Sequence, residues 1–143
     1  MVNLDIYRKE SGLNLLPVSL NTKGTSQMAI EELQEEELLK RLRKKGGNEA
    51  VLFHTVFCGT CQLTERMLEI VQAAGVGVPI HKININYAPV LRDAWRISSV
   101  PCLVLITDGQ PVHVEYTMRS VDHLYALIKS LEPEIDEEVT NNG

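Results

Sequence analysis

The sequence predicts an α/β protein in which a mixed β-sheet lies between layers of helices. Three observations carry that reading. Residues 50–57 (AVLFHTVF) and 102–106 (CLVLI) are near-continuous apolar runs, the composition of strands buried on both faces. Segments with helical apolar spacing alternate with such strands, giving the order β α β α β α β β α. Asp108-Gly109 is a strong hairpin signal that adds an antiparallel edge to a sheet built by parallel crossovers. At 143 residues and 16.0 kDa, 44% hydrophobic and 23% charged, the chain is one domain's worth of sequence that buries a core unaided.

From the N-terminus, residues 1–15 are expected to form an extension outside a domain spanning 16–132. Leu16, Val18 and Leu20 alternate with Pro17 and Ser19, as in a short strand that Pro17 confines to a sheet edge. Residues 28–45 read as one exposed helix. Its acids, Glu31 to Glu37, come first and Lys40, Arg41, Arg43, Lys44 and Lys45 follow, matching the helix dipole, and Gly46-Gly47 ends it. The apolar run 50–57 is a strand. After Cys58-Gly59-Thr60-Cys61, residues Leu63, Met67, Ile70, Val71 and Ala74 mark a helical face closed by Gly75 and Gly77. Residues 79–85 alternate as a strand, and Asn86 is positioned to cap a short helix through Trp95, with Pro89 in its first turn. Strand 102–106, the Asp108-Gly109 turn and a returning strand 112–116 follow. Ser120 caps a last helix bearing Val121, Leu124, Leu127, Ile128 and Leu131. Pro133 closes that pattern, and residues 133–143 read as an acidic, solvated tail.

Composition excludes several classes. No apolar run approaches the roughly 18 residues that cross a bilayer, and Met1 to Glu10 lack the apolar segment of a secretory signal. A cytoplasmic chain is therefore expected, with no membrane partner. The net charge of −5 argues against nucleic-acid binding. Three cysteines are too few, and oddly numbered, for a disulfide framework.

Cys58 falls where a buried strand meets a helix, so free backbone N–H groups and the helix dipole favour its thiolate. Cys61, one turn on, is near enough to attack a mixed disulfide formed at Cys58. Gly59 permits a tight turn and leaves the Cys58 sulfur accessible. The chemistry needs this asymmetry of an exposed nucleophile and a sheltered resolving thiol. Two other readings stand beside it. Cys58 and Cys61, with Cys102 and His54 or His81, would supply a zinc or cluster site, and two inert buried cysteines would need no chemistry at all.

Residues 50–131 resemble a thioredoxin, and the likeness extends back to about residue 16. Besides Cys58-Gly59-Thr60-Cys61, it rests on Lys82-Ile83-Asn84-Ile85-Asn86, on Trp95-Arg96-Ile97-Ser98-Ser99-Val100-Pro101, and on the Asp108-Gly109 hairpin. The resemblance implies a thioredoxin fold, a three-layer α/β/α sandwich with a central mixed sheet. It implies a protein thiol–disulfide oxidoreductase whose Cys58 attacks substrate disulfides and whose Cys61 resolves them. The redox-active Cys58–Cys61 disulfide then serves in place of a bound cofactor, with no metal. It also implies a cis Pro101 beside the pair, a Val100 backbone that pairs with substrate, and a groove including Phe57, Gly59 and Thr60. Partners would be protein disulfides and a thioredoxin-reductase-like electron donor, and a monomer is expected.

Several positions depart from the family pattern. Leu52 stands where a buried Asp assists the resolving cysteine, which leaves Lys82 without its carboxylate partner and Cys61 in neutral surroundings that raise its pKa. General-base help is worth about 10²–10⁴-fold, so slow resolution is expected unless Glu65 or His54 substitutes. Thr60 replaces a Pro between the cysteines. Its N–H and hydroxyl stabilise a thiolate and predict a less reducing protein, with 30 mV corresponding to about 1.4 kcal/mol. Arg66 replaces a helix-kinking Pro. Thr117 stands for a groove glycine and narrows the range of partners. Cys102 follows Pro101 where the family has Thr, either as a small core residue or as a third redox-active thiol. Leu52 and Thr117 also support an alternative function, a non-catalytic binding or scaffold module on the same fold.

Overall fold

The computed structural model describes residues 29–133. The strand expected at 16–20, the extension 1–15 and nearly all of the acidic tail lie outside the described residues. Within them run β1 (Glu31–Glu32), α1 (Glu35–Leu42), β2 (Asn48–His54), α2 (Gly59–Ala73), β3 (Ile80–Asn84), a 3-10 turn (Ile85–Tyr87), α3 (Pro89–Ala94), β4 (Cys102–Thr107), β5 (Gln110–Glu115) and α4 (Val121–Lys129). The five strands form one sheet in the order β1-β3-β2-β4-β5.

Strand alternation divides the core in two. Ala50 and Leu52 of β2 point to one face, joining Leu68 and Val71 of α2 and Leu124 and Ile128 of α4. Val51 and Phe53 point to the other, joining Leu38 of α1, Leu91 of α3 and Cys102, Val104 and Ile106 of β4. Helices thus cover both faces, the three-layer sandwich expected from the sequence. This explains why β2 and β4 read as unbroken apolar runs.

The N-terminal half differs from expectation. Glu31–Glu32, placed by sequence inside a helix over 28–45, form the edge strand and pair in parallel with His81 and Lys82 of β3. Ile30 and Leu33 are buried on opposite faces of the sheet, which a helix could not arrange. The helix starts only after Gln34, whose backbone N–H donates to Glu37 Oε1 at 3.0 Å within a capping box. It ends at Leu42, earlier than Gly46-Gly47, although Gly46 does turn the chain at φ 82°.

A second difference concerns direction. β2 pairs with β3 in parallel but with β4 antiparallel, so the hairpin β4–β5 is not the only antiparallel contact. From β3 the chain runs through the 3-10 turn, α3 and the 95–101 loop and enters β4 from the end where β2 and β3 finish, with Cys102 opposite Phe53. Smaller shifts accompany this. Asn84, rather than Asn86, caps the turn after β3 by accepting the Asn86 N–H at 2.9 Å. β5 begins at Gln110 because Asp108 (φ 55°) and Gly109 (φ 79°) form a two-residue turn. Ser120 caps α4 as expected, accepting the His123 N–H at 3.1 Å.

One end of the sheet therefore gathers four connections: β2 to α2, β3 to the 3-10 turn, the 95–101 loop into β4, and β5 to α4. The candidate site residues Cys58, Cys61, Val100 and Pro101 lie there.

Candidate active site

Cys58 is the N-cap of α2 and is half-buried, while Cys61 in the first turn is 1% exposed. The two are joined by a disulfide. Cys58 Sγ accepts the Cys61 backbone N–H at 3.1 Å, and Thr60 Oγ1 lies 3.4 Å from the same sulfur. Both contacts favour negative charge on Cys58 once the bridge opens. A Cβ at Gly59 would meet nothing within 4 Å, so the approach to the sulfur is open on that side. Phe57, immediately before, is 97% exposed. The unequal burial of Cys58 and Cys61 is thus set by position on the helix.

Pro101 follows a cis bond from half-buried Val100. The register of Cys102 against Phe53 sets Pro101 level with His54, the last residue of β2, at the end from which the chain turns to Cys58. Sequence reading missed what holds this loop. The Ser98 N–H donates to the Tyr116 hydroxyl oxygen at 3.1 Å, tying 95–101 to the end of β5. Trp95 packs edge-on against Phe53 at 6.1 Å between centroids. The contact from Ser98 to Tyr116 spans 18 residues and follows no local pattern, so no sequence signal announces it.

The expectation that Lys82 lacks a carboxylate is corrected. Its Nζ lies 2.6 Å from Glu65 Oε2, both side chains about four-fifths buried. Leu52 is the register partner of Lys82, as expected from its place in the strand, but the carboxylate comes from α2 instead of β2. Glu65 is four residues beyond Cys61 and shares its helix face. The helix face of Cys61 therefore carries an ion pair one turn on. His54, the other candidate substitute, is buried with Nε2 3.7 Å from Glu32 Oε2. Arg66 lies within an uninterrupted α2, and Thr117 is exposed, its N–H donating to Glu115 Oε2 at 3.0 Å.

Cys102 is fully buried at the start of β4, and burial pushes its thiol up to about 11. A thiol so held is protonated near neutrality and is a poor nucleophile. The ligand set Cys102 with His54 or His81 is not assembled. Cys102 packs with Phe53, whereas alternation along β2 turns His54 to the opposite face. Among the described residues no group of three or more His, Cys, Asp or Glu side chains is arranged to hold a metal ion, and no helix is long and apolar enough to cross a membrane.

A paired dithiol at a helix N-terminus, one sulfur approachable and one covered, defines a protein that exchanges thiols with disulfides. The comparisons agree with that class. The Thioredoxin family model matches residues 29–130. The thioredoxin-like protein YusE of Bacillus subtilis (strain 168) is 39% identical over 100 residues, covering 70% of this chain and 92% of its own. A thioredoxin of Chlamydia caviae is 33% identical over 76 residues, covering 53% of this chain and 74% of its own. Among solved structures, a mutant thioredoxin from Halobacterium salinarum NRC-1 superposes with a TM-score of 0.65 at 26% identity, covering 76% of this chain and 95% of that one. Oxidised mitochondrial thioredoxin 3 from Saccharomyces cerevisiae, at 21% identity and a TM-score of 0.59, shares the fold over 71% of this chain and 95% of its own. The chain belongs to the thioredoxin family, and it is a thiol–disulfide oxidoreductase.

Proposed function

We propose that this chain works as a cytoplasmic, monomeric reductant of protein disulfides, recharged by a thioredoxin-reductase-like electron donor. The observation that carries this reading is the unequal access of the two sulfurs. In the dithiol form, the Cys58 thiolate attacks one sulfur of a substrate disulfide and releases the other as a thiolate, which takes up a proton. Cys61 then loses its proton and attacks Cys58 Sγ, freeing the second substrate sulfur. The substrate gains two electrons and two protons, and the Cys58–Cys61 bridge seen in the structure is the product state. A dithiol donor restores the pair by the reverse exchange.

Glu65 is the group best placed to take the proton from Cys61. It shares the helix face of Cys61, and its bond to Lys82 keeps the carboxylate inside the domain. Phe57, Gly59, Thr60, Val100 and Pro101 border the groove, with the Val100 backbone as partner for an extended substrate. Cys102 acts as a core residue, in keeping with its burial. No bound cofactor is needed, since the disulfide itself carries the electrons.

Insulin reduction by dithiothreitol tests the reading. The wild-type chain accelerates precipitation of insulin, and Cys58→Ser abolishes that acceleration. Equal rates for the two would refute catalysis by the pair and favour a binding or scaffold role.

A further inference from the structure

Arg96 occupies a backbone position that suits glycine. Its φ is 53°, in the left-handed region, where a side chain crowds the backbone. The local hydrogen bonds show why the chain must adopt it. The Ile97 N–H donates to the Arg92 oxygen at 3.0 Å and the Arg96 N–H to the Asp93 oxygen at 3.3 Å, the paired closure of a helix end whose turning residue is usually glycine. An exposed arginine held there at a conformational cost points to a use for its side chain.

Its surroundings suggest the use. The four connections at the catalytic end of the sheet, residues 55–60, 85–88, 95–101 and 116–120, contain two charged residues, Arg96 and Arg119, and no carboxylate. The whole chain, by contrast, carries −5. Both arginines are exposed, and neither makes an ion pair among the described residues. The acids that flank these connections in sequence are otherwise engaged or set back. Glu115 pairs with His113 at 3.0 Å and accepts the Thr117 N–H, and hydrogen bonding to His113 holds its carboxyl below the usual value. Asp93 lies 3.5 Å from Arg92, and Asp122 is one residue into α4. Exposed Val56, Phe57, Tyr87 and Tyr116 stand in the same four connections.

We propose that Arg96, supported by Arg119, selects disulfide substrates that carry carboxylates beside the reacting cysteine, with the apolar residues receiving the neighbouring side chains. The inference rests on the disulfide-reductase reading and adds a substrate class to it. Opposite charge at the rim of a docking surface acts chiefly on encounter, so the preference is sensitive to salt.

The test uses two synthetic disulfide-bonded peptides that differ only in flanking the cysteine with two Glu or two Lys. The pre-reduced full-length chain and its Arg96→Gly variant are mixed with each, at low and high salt, and the single-turnover rate constant is followed. Expected for the wild type is a preference for the Glu peptide of roughly fivefold to tenfold at low salt, collapsing at high salt. Arg96→Gly is expected to lose most of that preference while its Tm holds or rises, because glycine relieves the left-handed strain. A preference unchanged by Arg96→Gly, or absent in the wild type, overturns the proposal. Failure of the wild type to reduce either peptide would instead strike the disulfide-reductase reading itself.

Discussion

Thr60 shows how much of the chemistry is local enough to be read from sequence. Two residues separate it from Cys58, and the helix start fixes their relation, so the expected hydroxyl contact is found at 3.4 Å from the sulfur. Its effect on potential follows from which redox state it stabilises. Negative charge on Cys58 arises only in the dithiol form, where the hydroxyl and the Cys61 N–H both stabilise it, and a stabler reduced form makes the disulfide more oxidising. Thr60→Val keeps the shape and the backbone N–H but removes the hydroxyl. The expected result is a potential lower by about 30 mV, the equivalent of one hydrogen bond of ~1.4 kcal/mol to a charged group. Equilibration against glutathione redox buffers measures it, and an unchanged potential would show that the hydroxyl does not act on the thiolate. Cys102 was legible in a coarser way. An apolar run following Pro101 promises burial, and burial suffices to push its thiol to about 11.

At the scale of elements, legibility depended on length and periodicity. β2, α2, β4 and α4 repeat their pattern often enough to be seen. β1, with two residues, has no period at all, and its glutamates look like the opening of the acidic helix that follows. The strand is recognisable only through its partners, because Glu31 and Glu32 face His81 and His54 across 3.7 Å. The same limit hid the Glu65–Lys82 pair. Sequence places Glu65 one turn beyond Cys61, but that Lys82 reaches it depends on how α2 crosses β3. The pair joins those two elements beneath the first turns of α2, so it has both a structural and a chemical consequence. Glu65→Gln is expected to slow resolution of a mixed disulfide at Cys58 by about tenfold to a hundredfold, the low end of general-base effects. Quenched-flow trapping of the mixed disulfide separates this step from the first attack. A purely structural role would lower Tm while leaving the two steps in their original ratio.

At the scale of the molecule, the sheet has two chemically distinct ends. The connections at the catalytic end carry Arg96 and Arg119 and no carboxylate, whereas the far end holds an ionic junction around a buried glutamate. There Glu49, at the start of β2, meets Arg41 of α1 at 2.8 Å and His81 of β3 at 3.6 Å, and Glu31 of β1 stands 3.7 Å from the other His81 nitrogen. One helix and one neighbouring strand thus meet a carboxylate that is 9% exposed, and β1 joins them through His81. Burial by itself would raise its pKa. The facing His81 ring and the Arg41 guanidinium outweigh burial and hold Glu49 below 4.5. Because the folded value is depressed, the unfolded chain takes up the proton first as pH falls. The junction therefore contributes stability above about pH 4.5 and loses it progressively as pH drops through the lowered folded value. Glu49→Gln removes the charge while keeping the shape. Its expected cost is roughly 1.5–3 kcal/mol at pH 7, the range for a hydrogen bond to a charged group, or a Tm several degrees lower. The decisive measurement is the slope of unfolding free energy between pH 5 and pH 3. It should be shallower in Glu49→Gln than in the wild type, since one fewer depressed carboxylate must be protonated on unfolding. Parallel curves would mean that Glu49 titrates alike in both states and that packing alone fastens β1 and α1 to the sheet.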